Sequence, residues 1–318
     1  MARKKTNKFF GVFKIFFSSI KTYFLYLDQT SKALAFPIFG QVISVALIFT
    51  VTYFFNTNID DIKNSLPIFE STSNIWLTFF IILFPLFLIF IKAFYKYLVA
   101  FSSLNLLFYT VSNKKNVKKI DFKENDNIVK RHFFKYIILL TLVTLILTIP
   151  PLIFIAPLTG IFLCLTFQVF VFESDISAFS CISRSTGLIK SNFIPTIILL
   201  LLCILTTYMF LPSLFIWACE KISLYYFLMN NCEKLISLIQ LDYLTNISIP
   251  VISDIIKDIL SPTALSRHIT EGTLSFIILG FTLPFRCCCF TELYKLYDSE
   301  KIKEFSKESD EIIKRAGK

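Results

Sequence analysis

Apolar residues gather into six long runs, near 35–55, 75–98, 134–149, 152–172, 193–218 and 273–293, and most polar residues fall between them. Five of the runs hold twenty or more residues, with at most two charges in any of them. A helix of that length rises roughly 30 Å, the thickness of a bilayer's hydrocarbon core. The pattern predicts an all-α, polytopic transmembrane helix bundle of about six spans. Residues 35–293 form the bundle within a single integral membrane domain, 1–318, and a charged tail follows from 294. Runs three and four are parted only by Pro150 and Pro151, which predicts a tight hairpin, because together they are too long for one crossing.

The segments between the runs carry a different period. In 9–27, Phe9, Phe13, Phe16, Ile20, Phe24 and Leu27 share one stripe, with Lys8, Lys14 and Lys21 away from it. This predicts an amphipathic N-terminal helix within 1–34, lying in the membrane interface. In 221–241, Ile222, Tyr225, Met229, Cys232, Ile236 and Ile239 recur at three and four, so the outer loop 220–272 should open with an amphipathic helix. A second helix should start at Ser248-Ile249-Pro250, with Ile252, Ile255, Ile256 and Ile259 on its apolar face. Residues 173–193 predict a cytoplasmic elbow helix, capped by Ser174 or Asp175, with Ile176, Phe179, Ile182 and Ile189 facing inward.

Composition agrees with lipid as the solvent: 55% of residues are hydrophobic and only 17% are charged. Abundant Phe, Ile, Lys and Asn read as the imprint of an AT-rich genome rather than of function. The net charge of +10 is unevenly placed. The N-terminal 34 residues, loops 101–133 and 173–192, and the tail from 295 hold 23 Lys and Arg; loops 56–74 and 220–272 hold 5. By the positive-inside rule both termini face the cytoplasm of a multi-pass protein of the cell (inner) membrane. Lys92, Lys96, Lys135 and Arg286 lie toward the same side, where long side chains snorkel to the headgroups. That distribution, with no nucleic-acid motif, leaves no reason to expect DNA or RNA as a partner. No cleavable signal peptide is read at the start, because its basic residues continue through Lys14 and Lys21.

Chemistry is scarce. None of the 22 Asp and Glu falls at the centre of a run, whereas ion-coupled transporters usually hold a carboxylate near mid-bilayer. Gln41 and Gln168 are the polar candidates there, and an interhelical clamp between them is expected. The two His, His132 and His268, fall on opposite sides of the membrane, so no metal centre is expected. Cys287, Cys288 and Cys289 point about 100° apart on a helix and cannot converge on one ion, so buried thiols are expected. Seven Gly are too few for a phosphate-cradling loop, and no cofactor is expected. Arg286, with Arg184 and Lys190, is a candidate contact for a lipid phosphate, so membrane lipids, including anionic ones, are the expected partners.

Two segments carry a resemblance. Glu173, Ala178, Arg184, Ser185, Leu188, Lys190, Asn192 and Phe193 follow the order of an acidic residue, a small-residue helix with a basic-Ser pair, then Leu, Lys, Asn and an aromatic. Pro284-Phe285 leads through Leu293-Tyr294 to Tyr297-Asp298. Both resemble a bacterial family of six-helix integral membrane proteins of unknown function. That family is related to the membrane domain of glycerophosphoryl diester phosphodiesterases. Ser191 stands where the family often has Gly. The resemblance implies a six-helix bundle with an amphipathic N-terminal helix and no catalytic residues. The phosphodiesterase itself is a separate barrel of about 250 residues, for which this chain has no room. A non-enzymatic scaffold, accessory subunit or lipid-associated factor, with an unidentified membrane protein as a further partner, is therefore the expected function. The alternative is a transporter or permease for a small or amphiphilic solute.

Overall fold

A computed structural model describes residues 2–59, 72–113, 132–148, 155–173, 176–237 and 261–298. The protein is all-helical, with no strand among the described residues. In chain order the helices are α1 (Ala2–Leu25), α2 (Leu27–Thr57), α3 (Thr72–Asn113), α4 (Phe133–Thr148), α5 (Ala156–Leu163), α6 (Thr166–Phe172), α7 (Ala178–Lys190) and α8 (Phe193–Ile204). A π-helical segment, Leu205–Phe210, continues into α9 (Leu211–Lys221), followed by α10 (Leu224–Ser237), α11 (Pro262–Phe281) and α12 (Leu283–Asp298).

Three stretches are long and apolar enough to cross a membrane: Leu27–Phe55, Trp76–Asn105 and Phe193–Lys221. A fourth arises if α11 and α12 count as one broken span. Their break falls at Thr282, and Pro284 stands in the first turn of α12, where a missing N–H costs no intrahelical bond. Only 6% of the α3 window is buried, so nearly its whole surface is apolar and outward-facing, as lipid requires. Helix lengths among the described residues thus account for three to four of the six expected spans. The third and fourth runs form shorter pieces: α4 has 16 residues, rising about 24 Å, and the next run is divided into α5 and α6 at Cys164–Leu165. The Pro150-Pro151 hairpin and the helix expected from Ser248 lie outside the described residues.

The chain divides into two compact units. The first comprises Met1–Ala33, Leu98–Leu205 and Thr282–Lys318. Within it α7 is the hub, packed on α4, α5, α6 and α8, while α1 lies on α8. Val12, Tyr136, Leu139, Leu165, Val169, Cys181, Leu188, Leu199 and Leu293 form its core. Edge-to-face rings of Tyr136 and Phe167 at 5.8 Å, and the stacked pair Phe162–Phe193 at 5.5 Å, fill the joints between helices.

The second unit comprises Leu34–Tyr97 and Thr206–Phe281. There α9, α10 and α11 pack together around Cys219, Tyr225 and Leu274. Ser223, at φ 60°, turns the chain sharply between α9 and α10. Elsewhere in the unit helices approach closely at glycines. A Cβ on Gly280 would stand 2.7 Å from Ile38, and one on Gly40 would stand 2.9 Å from Ala93.

Two predicted helix faces, on α1 and α7, are rotated from their expected positions, whereas that of α10 is kept. On α1 the protein-facing side runs Val12, Phe16 and Ser19, continued by Tyr26 between the helices and Thr30 in α2, while Phe24 of the predicted stripe is 65% exposed. On α7 the buried residues are Cys181, Ser185, Leu188 and Ile189, the N-cap is Ser177, and Phe179 is 71% exposed. On α10, Tyr225 and Ile236 are buried as the period predicts, but Ile222 lies in the turn before the helix and is exposed; Ile239 lies outside the described residues.

Candidate functional site

The densest charged network among the described residues lies in the first unit, where α6, α7 and α12 meet. Glu173 immediately follows α6, its backbone N–H still donating to the Val169 carbonyl at 2.8 Å. Arg184 stands in the middle of α7. Tyr294 and Asp298 are four residues apart on α12 and so share one face. Arg184 donates from Nε to Glu173 Oε1 at 3.1 Å and from Nη2 to Asp298 Oδ1 at 3.0 Å. The Tyr294 hydroxyl donates to the same Glu173 oxygen at 2.8 Å. One planar guanidinium therefore bridges two carboxylates, a geometry lysine cannot reproduce.

The side chains of Arg184, Glu173 and Asp298 are 29%, 27% and 27% exposed, so the ion pairs are partly shielded from water. Burial works against the charge on Arg184. The hydrogen bond and charge of Glu173, then the charge of Asp298, reverse that effect and raise its pKa above the ordinary arginine value. The neighbouring Cys181 thiol is pushed up to about 11 by burial and by the Glu173 charge. It is therefore a neutral packing group at physiological pH rather than a nucleophile.

Hydroxyls and amides extend the network. Tyr297 shares a 2.9 Å hydrogen bond with Thr196 and donates to the Asn192 carbonyl at 3.3 Å, tying α12 to the start of α8. Asn192 donates to the Leu188 carbonyl at 3.1 Å, and Ser185 donates to the Phe162 carbonyl at 2.8 Å, joining α7 to α5. The Phe172 and Tyr294 rings pack at 5.0 Å beside the ion pairs. Residues 173–193 and 284–298, distant in the chain, thus close on one another.

Other candidate residues take different roles from those expected. Arg184, the expected phosphate contact, is engaged by two carboxylates of its own chain. Lys190 is exposed in the last turn of α7, where a cation meets the negative end of the helix dipole. Arg286 is partly buried in the first turn of α12. Of the two residues of the expected clamp, Gln41 lies in the second unit and Gln168 in the first. Gln41 Nε2 donates to the Pro37 carbonyl of its own helix at 2.8 Å, and Gln168 Nε2 donates to Asn105 Oδ1 at 3.2 Å. Gln168 Oε1 is buried without a hydrogen bond. Asn105 was not among the sequence candidates; its signal was an amide three residues after Ser102, at the end of the apolar stretch Trp76–Asn105. Cys287, Cys288 and Cys289 are all buried, and Cys287 Sγ lies 3.9 Å from the Phe101 carbonyl.

Chemically, the network can hold helices together. Two donor nitrogens of Arg184 are engaged, and the Tyr294 hydroxyl is spent on Glu173. Among the described residues no group of three His, Cys, Asp or Glu is placed to hold a metal ion. No protein-family model matches the chain, nor does any curated protein or solved structure. The fold and site together define a class: an all-helical protein with three helices fit to cross a membrane and an internally compensated charge network.

Proposed function

We propose that this chain is a non-enzymatic, multi-pass protein of the cell membrane, acting as a scaffold, accessory subunit or lipid-associated factor with both termini in the cytoplasm. One observation carries the reading: the charged cluster at 173, 184, 294 and 298 is turned inward on itself. A catalytic or transport site leaves a donor or acceptor directed at its substrate, whereas this cluster spends its donors on neighbouring helices. The resemblance to the six-helix membrane family belongs to the same proposal. The meeting of its two motif segments supports it, because residues quoted from sequence alone turn out to be hydrogen-bonded partners.

The test is purification in native lipid, with co-purifying proteins and lipids identified by mass spectrometry. A stoichiometric protein partner or a retained lipid class is the expected result. Alongside it, the protein is reconstituted into vesicles loaded with a pH-sensitive dye. Proton flux that disappears on Gln168→Ala would overturn the scaffold reading. It would favour the second reading, a permease, which draws on one feature: the π-helical segment Leu205–Phe210 inside the apolar stretch Phe193–Lys221, with Thr207 buried in it.

A further inference from the structure

Helix α1 has two unlike sides. On one, Val12, Phe16 and Ser19 are buried, with the Phe16 ring edge-on to Phe285 at 5.6 Å. On the other, Lys14, Phe17, Lys21 and Phe24 are all exposed. Their spacing of three, four and three places them along a single face. Phe17 and Phe24 are each 65% exposed, a large apolar area for a helix already anchored on its opposite side. The two lysines alternate with the two rings, and among the described residues neither lysine forms an ion pair. The nearest acid along the chain past this face, Asp28, is paired with Lys32 at 2.7 Å. The same helix carries Arg3, Lys4, Lys5 and Lys8 in its first two turns. Only Tyr26 separates α1 from the stretch Leu27–Phe55, so the chain runs from this face straight into a segment fit to cross a membrane.

The geometry points to the Lys14–Phe17–Lys21–Phe24 face of α1 as a docking surface for a bilayer leaflet rich in anionic phospholipid. The rings enter the region below the headgroups while the lysine stems reach up to the phosphates. Helix α1 thereby acts as a wedge, glued to α8 by one face and seated in lipid by the other. This inference rests on the membrane reading above and adds a particular surface and lipid charge to it. It also differs from the stripe expected from sequence: Phe16 faces protein, and Phe17 takes the lipid.

The test uses tryptophan fluorescence of the full chain in vesicles containing brominated lipid. Wild type carries Trp76 and Trp217, and quenching of these reports on the membrane reading alone. In a Trp76→Phe, Trp217→Phe background, Phe17→Trp is introduced at an exposed position where a larger ring fits. Stronger quenching by bromines near the headgroup than by bromines at mid-chain is expected. An unquenched Phe17→Trp variant beside a quenched wild type overturns the docking surface while leaving the membrane reading standing; an unquenched wild type overturns both. In nanodiscs of equal anionic and zwitterionic lipid, anionic lipid should be enriched around the protein. Lys14→Gln and Lys21→Gln should each lower its affinity roughly fivefold, corresponding to about 1 kcal/mol per cation at an anionic surface. Equal retention of both lipids by wild type, or anionic enrichment as strong in a Lys14→Gln, Lys21→Gln double variant as in wild type, overturns the charge preference. A folded variant is verified by an unchanged melting temperature.

Discussion

Arg184 donates to acids carried by two other segments, so removing it leaves Glu173 and Asp298 without their shared cation. Hydrogen bonds to charged groups contribute about 1.5–3 kcal/mol each, lowered here because the groups are about a quarter exposed. Arg184→Ala should destabilise the protein by about 2–3 kcal/mol, read as a lower melting temperature in detergent. Arg184→Lys should recover less than half of the loss, because one ammonium does not reproduce a two-pronged planar donor. Full rescue by lysine would show that charge alone matters. Cys181 provides a pH test. With its pKa raised to about 11, only about one thiol in a thousand is ionised at pH 8, so labelling by iodoacetamide should be slow there and should rise steeply toward pH 10. Rapid labelling at pH 8, scored on the Cys181 peptide, would contradict its burial. At this scale the sequence named Arg184 as a candidate without marking its partners. Glu173 and Arg184 are eleven positions apart and Asp298 is 114 beyond Arg184, separations that no helical period connects. The two segments that hold these residues are far apart in the chain, and the structure brings them into contact.

At the scale of elements, close packing depends on where side chains are absent. Gly280 of α11 faces Ile38 of α2 so closely that an added Cβ would meet it at 2.7 Å. The Phe39 and Phe281 rings, at 5.8 Å, flank the same crossing. Gly280→Ala should therefore cost about 1–3 kcal/mol through overpacking. Pairing it with Ile38→Ala should restore part of the loss, since the clash is with that one side chain. A double-mutant cycle of melting temperatures reads the coupling, and strict additivity would refute the contact. Helix existence was legible from apolar periodicity, but helix rotation was less so. On α1 apolar residues occupy both the buried and the exposed side. Period alone then cannot tell a core-facing Phe16 from an outward-facing Phe17. On α10, where polar Asn230, Asn231 and Lys234 mark the outer side, the predicted face held at Tyr225 and Ile236.

For the whole molecule, the number of crossings turns on α4 to α6. Apolar composition alone gave six runs. Helix length separates them, because the 16 residues of α4 rise about 24 Å against a core of roughly 30 Å, and a turn interrupts the next run after α5. Such a pair is suited to entering the bilayer and returning on the same side. Both topologies keep the termini on one side, so fusions at the ends cannot separate them. The far end of α4 can. Thr148 is the last described residue of that helix and is exposed. In the re-entrant arrangement, Thr148→Cys should resist a membrane-impermeant maleimide added to the outside of intact cells. It should react once the membrane is permeabilised, scored by mass on its own peptide. If Thr148→Cys is instead labelled from outside, the short helices cross and six spans stand. Protection in intact cells leaves four spans, counting α11 and α12 as one, with α4 to α6 as a re-entrant element beside the Glu173–Arg184–Asp298 network. In that arrangement the network has a mechanical purpose: α5 and α6 cannot be held by a full crossing, so α7 and α12 hold them through Ser185, Glu173 and Tyr294. Arg184→Ala should then expose Thr148→Cys at temperatures below the melting of the whole protein.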